Sequence, residues 1–448
     1  MILVLKIFLL FLGVHEILYW VYFLQLKEYR FDRLRSALWE QGTFKKTLCN
    51  PFDLRHWFRP KPTIRAIVIG LLPAVFFLAP FFYNAVVFLL TFLLLPLLIA
   101  LSWIVSTPLF LFGKKMIIRQ AKKKMENYPG TVIGITGSFG KTSTKEFLFT
   151  VLSSRFTVVK TEANNNSEIG VAKTIVQKLK GDEDIFIVEM GAYRRGEIKA
   201  ICEIVHPKIG IITGISDQHL DLFGSLENIK KAKYELIESL PKDGYALIAD
   251  KNFSLAEAKN INVTKERVEF VYKKVKFVVP IIGQEIIRNV ICAIKVGEYL
   301  GLDLSAISTR LESLHPDLIY PKLHKTKNGN FVLDNSYNAN VEGALALIKY
   351  LTVWKGWRKI LITSAFIELG HQAKHDHELL GKELGIFDKV YLSSEQYFPQ
   401  LNKFRNVEKI KDAPALINKI RQNIKSKTLW MVLNRPFSGV IDYLLSNV

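Results

Sequence analysis

The sequence is poor in cysteine, with three among 448 residues, and these are Cys49, Cys202 and Cys292. They are odd in number and far apart, so they form neither a disulfide framework nor the spacing of a zinc site. The chain also lacks internal repeats and low-complexity tracts, and its 49% apolar residues exclude a disordered protein. We therefore expect about three folded domains in a reducing cytoplasmic setting.

Acidic residues are also scarce, with 41 Asp and Glu against 61 Lys and Arg, for a formal net charge of +20. The excess is not spread evenly. Ten basic and four acidic residues lie in 26–65, and six more basic residues lie in 114–124. Because both segments flank apolar runs, the charge favours a membrane-flanking role and argues against a nucleic-acid partner.

Charge is absent altogether from residues 66–113, a run of 48 residues. A single helix of that length would be about 72 Å long, more than twice the roughly 30 Å of a bilayer core. The run must therefore fold back, and Pro80 and Asn84 mark the expected hairpin between spans at 66–82 and 86–110. Residues 2–24 supply a third span. A re-entrant hairpin is the alternative for 66–113.

The two basic segments predict the topology of the membrane region. Both belong on the cytoplasmic side, which places the N-terminus outside and the remaining chain in the cytoplasm of a bacterial inner-membrane, multi-pass protein. A cleaved signal peptide is the alternative for the first span, but no small-x-small cleavage site follows it. His15 and Glu16 within that span are either a polar pair that contacts a ligand or a contact between helices.

Beyond residue 125 the sequence alternates short β-branched runs with amphipathic helical stretches. The first series of runs is "TVIGITG", "TVVK", "IFIVEMG", "KIGIITG" and "YALIAD", and the second is "NFVLDNS", "KILITSAF", "KVYLSS" and "TLWMVL". Such alternation predicts an α/β fold with parallel, doubly wound sheets. We expect three domains: membrane helices at 1–125, a P-loop central domain at 126–315 and a C-terminal Rossmann-like domain at 316–448.

A phosphate-binding loop is predicted between the first strand and the following helix. It comprises Gly137, Ser138, Gly140, Lys141, Thr142 and Ser143. Backbone N–H groups at the helix start would bind phosphate oxygens, the Lys141 ammonium would neutralise the β- and γ-phosphates, and the Thr142 hydroxyl would bind magnesium. Ile135 replaces the first glycine of the common eight-residue consensus, so the loop alone also fits an ordinary turn.

Further motifs follow this loop in a characteristic order. They are "TEANNNSEIGV", "VEMGAYRRGEI", "SDQHLDLFGS", "KKAKYELIESLP", "LDNSYNAN" and "FIELG". In order and spacing, residues 130–440 resemble the Mur ligase superfamily and, within it, the D-alanyl-D-alanine-adding type. The resemblance implies an ATP-dependent enzyme that activates a carboxylate as an acyl phosphate and then joins an amino acid or dipeptide to it through an amide bond.

The resemblance also implies roles for individual residues. Magnesium would be held by Thr142, Glu189, His219 and Lys233, with Lys233 carbamylated by carbon dioxide. The catalytic residues would be Lys141, Lys233, His219 and Asn338. Besides the loop, Asn289, Lys322 and Asp334 would contact ATP. The substrate would contact Asn164, Asn166, Ser336, Tyr337 and Asn340.

The residues themselves leave other interpretations open. Glu189 ends an apolar strand, where α/β sheets place ligand groups, but a carboxylate there also fits a helix cap. His219 alone fits a structural histidine. Lys233 is one of several lysines on a helix, for which solvent exposure is the ordinary expectation.

Four positions depart from the family pattern. The stretch Gly283-Gln284-Glu285-Ile286 lacks the histidine and first asparagine of the family's GxHN box. Asn335 occupies the place of an acid that neighbouring Asp334 could supply, and Lys322 stands where an arginine is common, although a lysine cannot form the same forked contacts. Leu433-Asn434-Arg435 replaces a late "KGS" box. These changes affect the expected adenine and amino-acid contacts.

We therefore expect a membrane-anchored Mur-type ligase in cell-wall precursor synthesis, acting on a UDP-linked or lipid-linked precursor. Its membrane region would replace the UDP-binding domain of soluble members. One alternative is another ligase of the superfamily, although the amidating kind is disfavoured because a four-cysteine insert is missing. A nucleotide-binding scaffold without catalysis is the second alternative. A transport ATPase is disfavoured because three spans leave little room for a pathway.

Overall fold

A computed structural model describes residues 2–39, 59–162, 165–216, 220–249, 257–336, 339–366, 369–394, 396–434, 437 and 439–448. The chain divides into two compact units, Met1–Arg119 and Gln120–Val448. The predicted boundary between residues 315 and 316 falls inside the second unit and stays a prediction.

The first unit is helical. Its elements are α1 (Ile2–Leu26), α2 (Phe31–Trp39), α3 (Ile64–Leu78), α4 (Ala85–Leu93) and α5 (Leu95–Met125), with a 3-10 turn at Ala79–Phe82. The last residues of α5, from Gln120 on, already belong to the second unit. Three helical stretches are long and apolar enough to cross a membrane: Leu3–Leu26, Ile64–Phe82 and Leu95–Met125. The chain reverses between Ala79 and Asn84, and the Asn84 side chain caps α4 by accepting from Val86 N at 2.8 Å.

The third apolar stretch differs from the predicted span at 86–110. The helix is interrupted at Leu94 and restarts at Leu95, because Pro96 has no N–H to donate and is best accommodated in the first turn of a new helix. It then continues through the basic segment to Met125. Lysine, arginine and glutamine are good helix formers, so loss of apolar character does not end the helix.

Apolar contacts hold this unit together. The Phe77 and Phe88 rings stack with centroids 4.9 Å apart, and Gly13 faces Phe77 so closely that a Cβ atom would lie 2.3 Å from the ring. His15 and Glu16 are buried among the helices. Large apolar side chains on the opposite faces are exposed, including Leu71, Val75, Phe76, Leu97, Ile104 and Val105.

The second unit contains a five-stranded parallel sheet. Its strands are β1 (Thr131–Thr136), β2 (Val158–Lys160), β3 (Ile185–Glu189), β4 (Ile209–Ile212) and β5 (Tyr245–Ile248), in the spatial order β2-β3-β1-β4-β5. The helices are α6 (Lys141–Leu152), α7 (Glu168–Lys178), α8 (Glu197–Val205), α9 (Leu220–Phe223) and α10 (Leu226–Glu238). β1 is central, and the chain leaves it first toward β2 and later toward β4, so its carboxyl end is the switch point where such sheets bind ligands.

A small antiparallel sheet and two helices follow. The strands are β6 (Lys259–Val263), β7 (Val268–Tyr272) and β8 (Val275–Val279), and the helices are α11 (Ile287–Tyr299) and α12 (Leu304–Glu312). The alternation Val268, Phe270 and Tyr272, with buried side chains, gives β7 an apolar face that packs into the core beneath the five-stranded sheet. Buried Cys292 lies in the same core, so burial raises the pKa of its thiol to about 12.

The second large sheet has six strands. They are β9 (Lys322–Lys325), β10 (Phe331–Asn335), β11 (Arg358–Thr363), β12 (Lys389–Leu392), β13 (Val407–Lys409) and β14 (Thr428–Leu433), in the order β13-β12-β11-β14-β10-β9. All pair in parallel except β9 at the edge. The helices are α13 (Val341–Tyr350), α14 (Ala373–Glu383), α15 (Phe398–Leu401), α16 (Ala413–Gln422) and α17 (Val440–Asn447). The predicted α/β class with parallel sheets is confirmed.

Candidate functional site

The loop between β1 and α6 is held against the loop that follows β4. Ser138 N donates to Gly214 O at 2.7 Å, and Ser216 N donates to Ser138 Oγ at 3.1 Å. At Gly137, a Cβ atom would lie 2.2 Å from Thr213 Oγ1, so only glycine permits this approach. These contacts fix the loop before any ligand binds.

The loop ends at the N-terminus of α6. The first N–H groups of a helix have no intrahelical acceptor, and the helix dipole adds positive potential there. Lys141, the first residue of α6, turns its Nζ back to Gly137 O at 2.7 Å and Ser138 O at 3.3 Å. Burial lowers the pKa of Lys141, while the nearby Glu189 carboxylate acts in the opposite direction. Loop, helix end and lysine together offer the N–H donors and the positive charge that suit an anion.

A buried carboxylate lies beside this loop, on the strand next to β1. Glu189 is 3% exposed, and its Oε2 accepts from Thr142 Oγ1 at 3.0 Å and from Lys145 Nζ at 3.0 Å. Its Oε1 accepts from Asn166 Nδ2 at 3.1 Å. Burial opposes ionisation of this carboxyl group, but the ammonium groups of Lys145 and Lys141 outweigh it and hold the pKa of Glu189 below its ordinary value.

Lys145 was not singled out from the sequence, although it is 0% exposed and contacts the predicted metal ligand directly. One signal could have identified it. Lys141 and Lys145 are four residues apart on α6, and that spacing places two side chains on the same face of a helix.

Asn289 on α11 meets the loop directly. A Cβ atom added to Gly140 would lie 2.6 Å from Asn289 Nδ2. Gly140 is the N-cap of α6 with φ of +78°, a left-handed conformation that glycine adopts without strain. The structure therefore places Asn289 against the phosphate loop, while its predicted contact with adenine stays a prediction.

Lys233 is 4% exposed, so the expectation of solvent exposure from its helix pattern is wrong. The helix α10 turns this face inward because Glu235 accepts from Gly196 N at 2.6 Å and Lys199 N at 3.1 Å, which fixes α10 to the start of α8. Burial and, to a smaller extent, the positive charge of Lys141 together lower the pKa of Lys233 to about 7. The Phe223 ring lies 5.8 Å from its Nζ.

The candidates from the C-terminal sheet lie at the end of β10 and on β9. Asp334 Oδ1 accepts from Ser336 N at 2.9 Å, which turns the chain after β10, and Lys322 is the register partner of Asp334. Asn340 Oδ1 accepts from Gly343 N at 2.7 Å and caps α13. These contacts are local, so the structure itself adds nothing to their predicted ligand roles.

Two contacts join the elements around the six-stranded sheet to the preceding part of the second unit. α13, which begins after Asn340, contacts the turn Gln284–Ile286, and Ile282 packs into the same core as Val341. α9 contacts the turn Gly370–Gln372. At another point, the Lys265 Nζ lies 4.8 Å and 4.6 Å from the Trp354 and Trp357 rings.

Asn164, His219, Tyr337 and Asn338 lie outside the residues that the structure describes, as does Arg435.

The residues beside the loop fit a magnesium ion. Thr142 and Glu189 offer a hydroxyl and a carboxylate 3.0 Å apart, and magnesium prefers oxygen ligands, completed by water and substrate phosphates. Within the part of the chain that the structure describes, no group of three or more His, Cys, Asp and Glu residues forms a metal cluster. A magnesium held by few protein ligands and a nucleotide does not require one.

Comparison with known proteins identifies the class. Residues 135–297 match the Mur ligase middle domain. The chain is 30% identical over 318 residues to the UDP-N-acetylmuramoyl-tripeptide–D-alanyl-D-alanine ligase of Synechocystis, covering 66% of this chain and 69% of that protein. It is 28% identical to the Escherichia coli ligase of the same name, covering 74% and 81%. The crystal structure of the Thermotoga maritima MurF ligase with ADP superposes with a TM-score of 0.66 at 26% identity, over 74% of this chain and 82% of that one.

A phosphate loop at the switch point of a parallel sheet, with a buried carboxylate beside it, defines a nucleotide-dependent α/β enzyme. The chain belongs to the Mur ligase family and resembles its MurF type. Members of the family are ATP-dependent, ADP-forming ligases, and the expectation of such an enzyme is confirmed.

The contact between Gly140 and Asn289 predicts the effect of a single methyl group. We expect Gly140→Ala to lower the free energy of unfolding by about 1–2 kcal/mol through the left-handed backbone, and to weaken ADP binding because Asn289 must move. Gly329→Ala is the matched control, since Gly329 has φ of +75° and no atom within 4 Å of a Cβ. Denaturant unfolding and ADP titration calorimetry check this. Equal ADP affinity in both variants would contradict it.

Proposed function

We propose that this protein is a membrane-anchored amide ligase that forms an acyl phosphate. An oxygen of the acceptor carboxylate attacks the γ-phosphorus of ATP, the bond to the β-phosphate oxygen breaks, and ADP leaves. An amine then attacks the acyl carbon, the carbon–oxygen bond to phosphate breaks, and the amine loses a proton. The observation that carries this proposal is the phosphate loop with Lys141 and the Thr142–Glu189 contact beside it.

The first step brings a carboxylate toward a triphosphate, so negative charges must be screened. The N-terminus of α6 supplies N–H donors, and the Lys141 ammonium, which contacts a loop carbonyl, would exchange it for phosphate oxygens when nucleotide binds. Magnesium held by Thr142 and Glu189 would screen the phosphate charge further. His219 stays a proposed ligand of a second magnesium.

The second step requires that the amine reach the acyl phosphate before water does. The C-terminal sheet presents Ser336 and Asn340 at the end of β10, and its helix α13 already contacts the turn before α11. We propose that closure of this sheet over the loop excludes water and that Asn166, Ser336 and Asn340 contact the substrates, together with Asn164, Tyr337 and Asn338.

Lys233 is proposed to be carbamylated. Its neutral amine would attack carbon dioxide and release one proton, which converts a buried cation into a carboxylate-like anion. Two observations support this: the side chain is buried, and the pKa of the amine is lowered to about 7 by burial and by Lys141. As a carbamate, Lys233 would attract Lys141 and a metal ion instead of repelling them.

The substrate pair is proposed from the relatives. Their names specify UDP-N-acetylmuramoyl-tripeptide and D-alanyl-D-alanine. We propose a peptidoglycan precursor and an amino acid or dipeptide for this chain.

The first unit supports a membrane location. Three helices have the length and composition to cross a bilayer, and their exposed faces carry Leu71, Val75, Phe76 and Ile104. We propose three spans in a bacterial inner membrane, with the N-terminus outside and residues 126–448 in the cytoplasm. A membrane-resident ligase can meet a lipid-linked acceptor by lateral diffusion, so we propose a lipid-linked peptidoglycan precursor as substrate.

Acceptor choice can be measured with the purified full-length protein in detergent or liposomes. We expect phosphate release with D-alanyl-D-alanine to be at least about tenfold faster per unit concentration for an undecaprenyl-linked precursor than for the UDP-linked one. Preference for the UDP-linked form would contradict the lipid-linked acceptor while leaving the ligase proposal intact. No phosphate release with either would favour a nucleotide-binding scaffold.

A further inference from the structure

Lys145 is a buried cation that the proposed chemistry has not used. Its side chain is 1% exposed, and its Nζ lies 3.0 Å from Glu189 Oε2 and 4.0 Å from Glu146 Oε1. Glu146 is paired with Lys160 as well. A lysine buried to this degree requires an anionic partner, and its closest one here is the proposed magnesium ligand.

The two lysines of α6 contact different groups. Lys141 is half-buried and contacts the carbonyls of Gly137 and Ser138, which it can exchange for phosphate oxygens. Lys145 lies one turn deeper and contacts the Glu189 carboxylate instead. Because carboxylates hold its ammonium group and loop carbonyls hold that of Lys141, we infer that Lys145 acts on Glu189 and not on phosphate.

Glu189 is oriented from several sides. Thr142 and Lys145 both donate to Oε2, Asn166 donates to Oε1, and Thr161 Oγ1 accepts from the backbone N–H of Glu189 at 2.9 Å. Among these four contacts only that of Lys145 brings a positive charge. Without it, the hydrogen bonds to a carboxylate that is 3% exposed would all come from neutral groups, and of the two ammonium groups that lower its pKa only Lys141 would remain.

We propose that Lys145 is a tethered substitute for a divalent cation: it neutralises and orients Glu189 before metal-bound nucleotide arrives. The inference rests on the proposed function, in which Glu189 is a magnesium ligand. It has a physical consequence. A positive charge 3.0 Å from the ligand oxygen repels an arriving cation, so Lys145 weakens metal binding while it fixes the geometry of the carboxylate.

The test compares Lys145→Met with Lys145→Arg and with Lys160→Met, a matched control that removes a partner of Glu146 but no contact of Glu189. Mn²⁺ binding to the full-length protein with ADP is titrated by electron paramagnetic resonance. We expect about tenfold tighter Mn²⁺ binding for Lys145→Met, and changes within about threefold for the other two. Unchanged or weaker Mn²⁺ binding in Lys145→Met would overturn the inference.

Melting temperature gives a second readout. In EDTA, Lys145→Met should melt below the wild type, and addition of Mn²⁺ with ADP should raise its melting temperature by more than it raises that of the wild type. An equal rise would identify a merely structural lysine. If Lys145→Met does not fold, Lys145→Met combined with Glu189→Gln should fold, because no buried charge is then unpaired at that contact. Failure of the double variant to fold would also overturn the inference.

These measurements use no acceptor and no amine. Loss of ligase activity on every precursor, with the Mn²⁺ pattern intact, would therefore reject the proposed function and keep the role of Lys145. Ligase activity on a precursor, together with unchanged or weaker Mn²⁺ binding in Lys145→Met, would reject only the role of Lys145.

Discussion

Replacing Lys141 by methionine should lower ATP turnover by about 1,000-fold, the range found when a preorganised charge or donor is removed from a transition state. The Lys141 Nζ contacts Gly137 O and Ser138 O of the loop. From this position it can contact the phosphate oxygens throughout the reaction. Methionine keeps the length and apolar body of the side chain and removes only the ammonium group.

The measurement is acceptor-dependent ADP formation under ATP saturation, together with the melting temperature. Because Lys141 is half-buried and its two bonds are to the loop itself, we expect a small change in melting temperature. Lys173→Met, which removes an exposed lysine on α7, is the matched control and should leave turnover unchanged. Turnover within tenfold of wild type for Lys141→Met would show that the loop does not hold the reacting phosphate.

The second large effect is expected at Lys233. Lys233→Ala should lower ATP turnover by about 100-fold or more, because the variant cannot carry a carbamate. Short carboxylates such as acetate should restore part of this activity by occupying the space that alanine leaves. In the wild-type protein, depletion of carbon dioxide should reproduce the loss and bicarbonate should reverse it.

The pH dependence has a definite sign. Carbon dioxide reacts with the neutral amine, and the pKa of Lys233 is lowered to about 7. Above pH 7 the amine is mostly neutral, so at a fixed concentration of dissolved carbon dioxide recovery should be fast, and it should slow as the pH falls below 7. Lys230→Ala, on the exposed face of the same helix, is the control and should keep full activity. Activity of Lys233→Ala equal to that of the control, or no response to bicarbonate, would contradict carbamylation.

Much of the fold could be predicted because parallel strands are buried on both faces. The runs "IFIV" and "LWMVL" are continuously apolar, and each lies in a fully buried strand, β3 and β14. The antiparallel sheet β6–β8 was not predicted. Lys259–Val263 is largely polar and exposed, so its own sequence pattern does not distinguish it from a loop. It is a strand because it pairs with β7.

Some site residues could be predicted from the sequence and others could not, and the difference again depends on burial. Motif residues such as Lys141, Thr142 and Glu189 lie at strand ends and helix starts, where sequence spacing fixes their position. Lys145 and the burial of Lys233 depend on which face of a helix meets the sheet. The four-residue spacing places Lys145 on the same helix face as Lys141, but a lysine in an amphipathic helix is ordinarily solvent-exposed, so the burial of Lys145 and Lys233 is seen only in the tertiary packing.

The transfer of oxygen from acceptor to phosphate tests the central claim most directly. A precursor whose carboxylate carries ¹⁸O at both oxygens is ligated with unlabelled ATP and amine, and the inorganic phosphate is analysed by mass spectrometry. If the carboxylate attacks the γ-phosphorus, each phosphate released in a ligation carries one ¹⁸O and the amide keeps the other. Unlabelled phosphate accompanying amide formation would contradict an acyl phosphate.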